Sequence, residues 1–272
     1  MEGVHNSAPR EIISGSGLYR ARHGNRIELV LARGHVGNTL DAVALHAANT
    51  VLREARDDDT IAGLVLRSTA TNFCSGGDFS DPGRPGELSP DYGPQIEEFT
   101  RLWCTRQYPV LAVVDGPARA FGCAIALTAD LAVVRPEATF ALPELGNGLV
   151  PVYAIALLRH RHGSAFIRGL TLTRRALSAG EAHASGIVSD LADGAEESAA
   201  AVAAYVAFWD AVGPTVTRHA MRTLARFDSA ASLEETLHIA REGLTGLLER
   251  VRRRESSQSY LDADRAPSPA AE

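Results

Sequence analysis

The chain has 272 residues, of which 45% are hydrophobic and 22% charged, and this is the composition of a globular protein with a sizeable core. Its net charge of −6 argues against a general attraction to nucleic acid, and no apolar run is long enough to cross a bilayer. All 27 basic residues are arginine, which excludes mechanisms that need a lysine. Because residues 1–9 lack the apolar segment of a secretion signal, we expect a cytoplasmic protein without nucleic-acid or membrane partners.

The first half of the chain alternates between predicted strands and helices. Residues 18–31 indicate a strand hairpin, and residues 39–58 place apolar side chains at helical spacing. A buried strand follows over residues 61–67. Residues 80–95 are rich in Pro, Gly, Ser and Asp, so we expect a mobile loop there, with a helix after it over residues 95–107.

The second half begins with a buried strand over residues 110–114, which leads into a helix of small residues that ends near Asp130. Short strands are predicted at 131–134 and 139–140, and the chain beyond Val150 is mostly helical. Strands that alternate with helices predict an α/β fold with a largely parallel sheet.

The predicted elements divide the chain into three regions. Residues 1–195 form the core with the functional site, and residues 196–254 form a helical region for oligomerisation. Residues 255–272, rich in Ser, Asp, Pro and Ala, are predicted to be disordered. Cys74, Cys104 and Cys123 are scattered without metal-ligand spacing, so we expect reduced thiols and no bound metal.

Two glycine-containing turns follow buried strands and carry the candidate chemistry. The first is Gly76-Gly77-Asp78, and the second is the helix start Phe121-Gly122-Cys123-Ala124. The first N–H groups of a helix have no acceptor within that helix, and the helix dipole adds positive potential there. Two backbone N–H groups aimed at one carbonyl oxygen stabilise an enolate, and losing one such donor costs about 3–4 kcal/mol of transition-state stabilisation.

Four segments occur in the order found in one enzyme family: FCSGGDF, GPARAFGCAIALTADLAVV, ATFALPELGNGLVP and LTLTRRALSAGEAHASGIVSDL. From about Leu18 to Leu191 the chain resembles the crotonase (enoyl-CoA hydratase/isomerase) superfamily. The resemblance implies a spiral of repeated ββα units with a C-terminal helical region, assembled as a homotrimer or hexamer. It also implies an acyl thioester substrate, carried by coenzyme A or a carrier protein, and no cofactor besides that coenzyme A.

The resemblance also assigns the main site residues. It implies that the N–H groups of Gly77 and Phe121 bind the thioester oxygen, although the family usually has glycine at the second position. Hydratases of the family use two glutamates, and here those positions hold Ala124 and Glu144. Adding water to a double bond suits two carboxylates, whereas moving a double bond needs one base that removes and returns a proton. Glu144, among apolar neighbours, is therefore the predicted acid and base.

Further residues near these motifs are candidates for substrate binding. They are Cys74, Gly76, Asp78, Tyr92, Gly122, Ala124, Pro143 and Gly148. A second acid for hydration could come from Glu97, Glu98 or Tyr92, and Tyr153 is a further hydrogen-bond donor. The phosphates of coenzyme A would meet one of four arginines: Arg67, Arg119, Arg250 or Arg252.

Three functions follow from this pattern. The favoured one is an isomerase that shifts a double bond through a thioester enolate, with Glu144 as its single base. The second is a hydratase or dehydratase whose other acid lies at a non-standard position. The third is a relative that binds acyl thioesters without catalysis, which Ala124 and Phe121 favour and Glu144 disfavours.

Overall fold

The structure is a computed structural model that describes residues 11–13, 15–81 and 83–254. Its strands are β1 (Glu11–Ile13), β2 (Leu18–His23), β3 (Arg26–Leu31), β4 (Gly63–Ser68), β5 (Ser80–Asp81), β6 (Arg84–Leu88), β7 (Val110–Val114), β8 (Ala118–Arg119), β9 (Leu131–Val134), β10 (Thr139–Ala141), β11 (Leu177–Ser178) and β12 (Asp190–Leu191). Its α-helices are α1 (Ala42–Asp57), α2 (Tyr92–Cys104), α3 (Ala120–Leu127), α4 (Val152–Arg161), α5 (Ser164–Thr173), α6 (Ala179–Ala184), α7 (Ala195–Val212), α8 (Pro214–Ser229) and α9 (Leu233–Arg254).

The main sheet has seven strands in the order β1-β2-β3-β4-β7-β9-β12. Strands β1 to β3 are antiparallel neighbours, and every pairing from β3 to β12 is parallel. The centre of the sheet is covered on both faces, which explains why β7 consists of five buried apolar residues. The sequence prediction of a hairpin over residues 18–31 and of a largely parallel core is confirmed.

A second, smaller sheet lies beside the first and has the order β11-β10-β8. Strands β8 and β10 are parallel, with Ala118 opposite Phe140, and a parallel bridge joins Cys74 to Ala118. Three segments therefore run side by side in one direction. Because parallel segments end at the same edge, the residues that follow Cys74, Ala118 and Phe140 are brought together there.

Of the C-terminal helices, α7 packs against the main sheet, and α8 in turn contacts α7, α9 and the end of α1. Helix α7 packs there through Trp209, whose ring lies so close to Gly63 that a Cβ on Gly63 would come within 2.5 Å of it. No single helix of the described residues is long and apolar enough to cross a membrane; α7 and α8 together meet that length and composition but meet at an angle of 103°.

Two local features of secondary structure are worth comparing with the sequence. Helix α6 has a capping box, since the Ser178 hydroxyl accepts from the Glu181 N–H and the Glu181 carboxylate accepts from the Ser178 N–H. The loop predicted over residues 80–95 is wrong in its structure: β5 and β6 pair as a hairpin, and α2 begins at Tyr92. The segment 255–272, predicted to be disordered, lies outside the described residues.

Candidate active site

The Gly77 amide projects from a short parallel bridge between Leu40 and Gly77. In this bridge the Leu40 N–H donates to the Gly76 carbonyl at 2.8 Å, and the Asp78 N–H donates to the Leu40 carbonyl at 2.9 Å. Both bonds use the neighbours of Gly77. The N–H of Gly77 therefore lies on the opposite side of the segment, free of the bridge.

The Phe121 amide lies in the first turn of α3, directly after β8. Arg119 caps this helix in an extended conformation, and Ala120 has a left-handed φ of 53°. The sharp change of direction ends the strand and starts the helix within two residues. The Phe121 N–H has no acceptor inside the helix, so it is available to a ligand.

The two amide-bearing loops touch each other. Gly76 has a left-handed φ of 107°, and a Cβ at this residue would lie 2.5 Å from the Cβ of Ala120 and 3.4 Å from the Phe121 nitrogen. A Cβ on Gly122 would lie 2.5 Å from the Cys74 carbonyl oxygen, which already accepts from the Arg119 N–H at 2.8 Å. Glycine is required at both positions because backbone and side chains approach so closely.

A cavity of about 380 Å³ opens where these loops meet. Its lining residues are Ser75, Gly77, Phe79, Tyr92, Ile96, Ala120, Phe121, Pro143, Glu144, Asn147, Leu149, Val150, Pro151, Val152, Tyr153 and Ala154. The lining combines both predicted oxyanion donors, the predicted base and a mostly apolar wall. This composition is typical of a pocket that binds a small organic group.

Glu144 begins a single 3-10 turn, Glu144–Asn147, that follows β10. It is the one acidic side chain among the described residues that line the cavity. Its Oε2 atom is buried without a hydrogen-bond partner in the described part of the chain. Removal from water raises the pKa of the Glu144 carboxyl above its ordinary value of 4.5, which makes its carboxylate a stronger base.

Tyr92, the first residue of α2, holds its ring edge-on to Phe79 at a centroid distance of 4.6 Å. Its hydroxyl is also buried without a partner among the described residues. A Cβ on Gly77 would lie 1.9 Å from the Tyr92 hydroxyl oxygen, so the hydroxyl lies against the Gly77 backbone. Two residues that line the cavity, Glu144 and Tyr92, thus each have a buried polar atom without a hydrogen-bond partner among the described residues.

Because the family usually has glycine at this position, the ring of Phe121 needs a place in the structure. It packs edge-on against Phe99 at 5.4 Å, and Phe99 stacks on Trp103 at 5.5 Å. Phe121 is only 4% exposed, so its ring is anchored in the core while it contributes to the cavity wall. Its backbone N–H remains the predicted second oxyanion donor, in the first turn of α3.

The other candidate residues for substrate binding divide into two groups. Tyr92 and Pro143 line the cavity, whereas Cys74, Gly76, Asp78, Gly122, Ala124 and Gly148 do not. Cys74 and Ala124 are fully buried, and burial raises the pKa of the Cys74 thiol to about 12. Asp78 accepts from the Ser80 N–H and hydroxyl, while Gly148 ends the Glu144 turn with a φ of 72°. Of these six residues, Gly122 and Ala124 lie in α3 and the other four lie in the loop segments near the cavity.

The candidates for a second carboxylate are turned away from the cavity. Glu97 is exposed and pairs with Arg101 at 2.6 Å, and Glu98 pairs with Arg53 at 3.3 Å.

Two of the arginines suggested for coenzyme A phosphates already have partners within the protein: Arg67 pairs with Glu28 at 2.8 Å, and Arg119 donates to the Thr139 carbonyl at 2.7 Å. The side chains of Arg250 and Arg252 lie outside the described part of the structure.

Sequence reasoning missed much of the cavity wall. The mouth is formed by Leu149, Val150 and Val152, which are between 51% and 62% exposed. The signal was present as an apolar run directly after the Glu144 turn, where an exposed loop is normally polar.

Among the described residues, no group of three or more His, Cys, Asp or Glu side chains has the arrangement of a metal site.

A larger cavity of about 500 Å³ lies between α7 and the outer face of the main sheet. Its two arginines form ion pairs, Arg26 with Asp210 at 3.2 Å and Arg67 with Glu28 at 2.8 Å. It lacks both loop amides and Glu144. The smaller cavity is therefore the candidate active site, because it alone of the two is lined by both the predicted base and the predicted oxyanion donors.

Comparison with known proteins gives consistent results. The model of the enoyl-CoA hydratase/isomerase family matches residues 23–267. A carnitinyl-CoA dehydratase from Proteus mirabilis is 28% identical over 239 residues, which cover 86% of this chain and 89% of that protein. A probable enoyl-CoA hydratase from Mycobacterium leprae is 29% identical over 209 residues, which cover 75% of this chain and 80% of that protein.

Solved structures share the fold. A putative enoyl-CoA hydratase from Thermobifida fusca, in complex with acetoacetyl-CoA, superposes with a TM-score of 0.75 at 22% identity. The match covers 86% of this chain and 96% of that one. The predicted crotonase-like fold is confirmed.

Proposed function

Because the chain belongs to the enoyl-CoA hydratase/isomerase family, we propose that it shifts a double bond in an enoyl thioester, with Glu144 as its single acid and base. The observation that carries this proposal is the composition of the cavity: Gly77 and Phe121 line it together with the single carboxylate of Glu144, and no second carboxylate lines it among the described residues. A single base is sufficient for isomerisation.

Substrate binding comes first. The thioester oxygen accepts hydrogen bonds from the N–H groups of Gly77 and Phe121, which withdraws electron density from the carbonyl and acidifies the α-carbon. The apolar wall, including Ile96 and Phe121, takes up the acyl chain and removes it from water. Substrate binding also removes water from around Glu144, so its carboxylate reacts as a stronger base than a solvated one.

Proton transfer follows in two steps. The Glu144 carboxylate removes a proton from the carbon next to the thioester of a 3-enoyl substrate, and the electron pair moves into the dienolate. The dienolate oxygen stays on the two amides while Glu144 is protonated. Glu144 then returns the proton to the fourth carbon, and the product is the conjugated 2-enoyl thioester with the carboxylate restored.

Incubation with 3-enoyl and 2-enoyl thioesters of coenzyme A tests the proposal. We expect conversion of the 3-enoyl to the 2-enoyl compound, and Glu144→Gln to lower its rate by about 10²–10⁴-fold. Glu137→Gln is the matched control, since Glu137 is an exposed glutamate of the preceding turn that pairs with Arg135 at 3.6 Å. Near-normal turnover by a folded Glu144→Gln variant would reject Glu144 as the base.

A hydratase or dehydratase is the second candidate, favoured by the names of the matched relatives. This reaction needs a further group that handles the water or the leaving hydroxyl. Besides Glu144, the ionisable side chains among the described cavity residues are Tyr92 and Tyr153. Uptake of water by 2-enoyl thioesters at a rate above the 3-enoyl reaction would favour this candidate, while binding without any product would indicate a non-catalytic relative.

We also propose that the acyl group is carried by coenzyme A, as in the ligand of the Thermobifida fusca structure. A carrier-protein arm is the alternative, and the internal pairing of Arg67 and Arg119 leaves fewer cations for nucleotide phosphates. Turnover of the same acyl group on coenzyme A and on pantetheine distinguishes the two. Equal kcat/KM for both would show that the nucleotide contributes nothing.

A further inference from the structure

The Tyr92 hydroxyl is the second unpartnered polar atom of the cavity. Tyr92 is only 6% exposed, and its hydroxyl oxygen is buried without a hydrogen-bond partner among the described residues. A buried hydroxyl without a partner is destabilising, so its retention calls for an explanation. The ring alone does not require the hydroxyl, because a phenylalanine would make the same edge-on contact with Phe79.

The position of the hydroxyl is tied to one particular backbone atom. The Tyr92 oxygen lies against the Cα of Gly77, where any side chain at residue 77 would collide with it at 1.9 Å. Gly77 also provides the first of the two loop amides. Gly77 and Tyr92 both line the cavity, so a thioester oxygen bound to the Gly77 N–H would lie close to the Tyr92 side chain.

The protonation state fits a donor. Burial raises the pKa of Tyr92 above that of an ordinary tyrosine, and the acidic groups of Cys74 and Asp78 raise it further. The hydroxyl thus keeps its proton at neutral pH. A group in this state cannot remove a proton from the substrate, but it can donate a hydrogen bond to an oxygen that becomes negative.

We propose that the Tyr92 hydroxyl donates a third hydrogen bond to the thioester oxygen, beside the amides of Gly77 and Phe121. This inference rests on the proposed thioester site and adds a side-chain donor to its two backbone donors. The hydroxyl keeps its proton throughout, since it stabilises the enolate oxygen without protonating it. Tyr92 thereby makes the thioester more acidic at its α-carbon.

The test uses Tyr92→Phe and a non-reacting saturated thioester, butanoyl-coenzyme A labelled with ¹³C at the carbonyl. Infrared difference spectra report the carbonyl stretch of the bound thioester, which falls when donors polarise it. We expect Tyr92→Phe to move this frequency part of the way back toward that of the free thioester. Turnover should fall roughly 10- to 100-fold, the range for a hydrogen bond to a charged group.

Tyr108→Phe is the matched control. Its hydroxyl is likewise buried but donates to the Leu52 carbonyl at 3.1 Å, and Tyr108 does not line the cavity. We expect Tyr108→Phe to lower Tm and to leave the carbonyl frequency unchanged. Tyr92→Phe should show the opposite pair of effects, with Tm unchanged or raised, because no intramolecular hydrogen bond is lost.

The outcomes separate this inference from the proposed function. If wild-type protein leaves the carbonyl frequency of the bound thioester unshifted, the thioester site itself is rejected. If wild type shifts the frequency and Tyr92→Phe shifts it equally, only the third donor is rejected. If Tyr92→Phe abolishes turnover while the frequency stays shifted, the hydroxyl acts on another atom of the substrate, and this inference is likewise rejected.

Discussion

Gly76 lies against Ala120 so closely that a Cβ on Gly76 would be 2.5 Å from the Cβ of Ala120. This contact joins the loop after β4 to the start of α3, and it sets the spacing between the Gly77 and Phe121 amides. The underlying register is simple. Cys74, Ala118 and Phe140 lie side by side in parallel segments, and Gly77, Phe121 and Glu144 follow them by three, three and four residues.

We expect Gly76→Ala to damage the oxyanion donors as a pair. The left-handed φ of 107° disfavours any side chain, and the collision with Ala120 pushes the two loops apart. The conformational term alone costs about 1–2 kcal/mol of stability. Turnover should fall by at least tenfold beyond what the loss of stability explains, as measured on the folded fraction well below Tm.

Gly93→Ala is the control for that substitution. Gly93 lies one residue into α2, has nothing within 4 Å of its Cβ position and has no left-handed φ. A methyl group there should leave both Tm and turnover close to wild type. Equal losses in both variants would show that the contact between Gly76 and Ala120 does not govern the amides.

Glu144 predicts a distinct pH profile. Its carboxyl must be ionised to act as a base, and removal from water raises its pKa above 4.5. The value of kcat/KM should therefore rise with pH through an apparent pKa above that of an ordinary glutamate. A profile that is already flat at pH 5 would contradict a desolvated base, and measuring it in several buffers separates the enzyme from buffer effects.

The same carboxyl affects stability with the opposite dependence on pH. Below pH 4.5 Glu144 is protonated in both the folded and the unfolded chain and contributes no difference. As pH rises above 4.5 the unfolded chain ionises first, so the free energy of unfolding falls until the folded pKa is passed. Urea titrations should therefore show Glu144→Gln gaining stability relative to wild type between pH 4 and pH 8. An unchanged difference would place this carboxyl in water.

Much of the core and the placement of the candidate site residues could be predicted because these features are encoded locally. The apolar run in β4 and the strand-to-helix transition at Phe121 are properties of a few consecutive residues. Glu144 was identified from its motif, and its unpartnered oxygen became visible only in three dimensions. The sequence offered Tyr92 as one of several candidates. Its contact with Gly77 joins the start of α2 to the loop after β4, and this contact is visible only in the structure.

Two errors show where local information fails. The hairpin of β5 and β6 was read as a loop because Gly and Pro are as common in tight turns as in irregular segments. Its Asp81 and Arg84 form an ion pair at 2.8 Å that composition does not reveal. Glu97 was a candidate for the cavity, yet Arg101 four residues later indicated an exposed helix face, with Ile96 and Phe99 on the buried one.

We expect substitution of Asp130 to lower the stability of the protein without a direct effect on catalysis. Asp130 accepts from the Arg106 guanidinium at 2.9 Å and from the Val110 N–H at 2.8 Å, and the Arg106 side chain is only 3% exposed. Asp130→Asn leaves this buried charge unpaired, which we expect to cost about 3–5 kcal/mol in urea denaturation. Asp57→Asn is the control, because Asp57 pairs with Arg56 and its side chain is 63% exposed. Similar losses in the two variants would contradict the buried pair.

Exposed apolar side chains on the C-terminal helices lead us to expect an oligomer. Phe208 of α7 and Leu224 of α8 are 61% and 55% exposed, which is costly for large apolar side chains unless another subunit covers them. We expect light scattering to give a mass of three or six chains, and Phe208→Arg with Leu224→Arg to dissociate the assembly. Leu172→Arg is the control, since Leu172 is 66% exposed on α5, outside the C-terminal helices. Dissociation by Leu172→Arg alone would locate the subunit interface on the core instead.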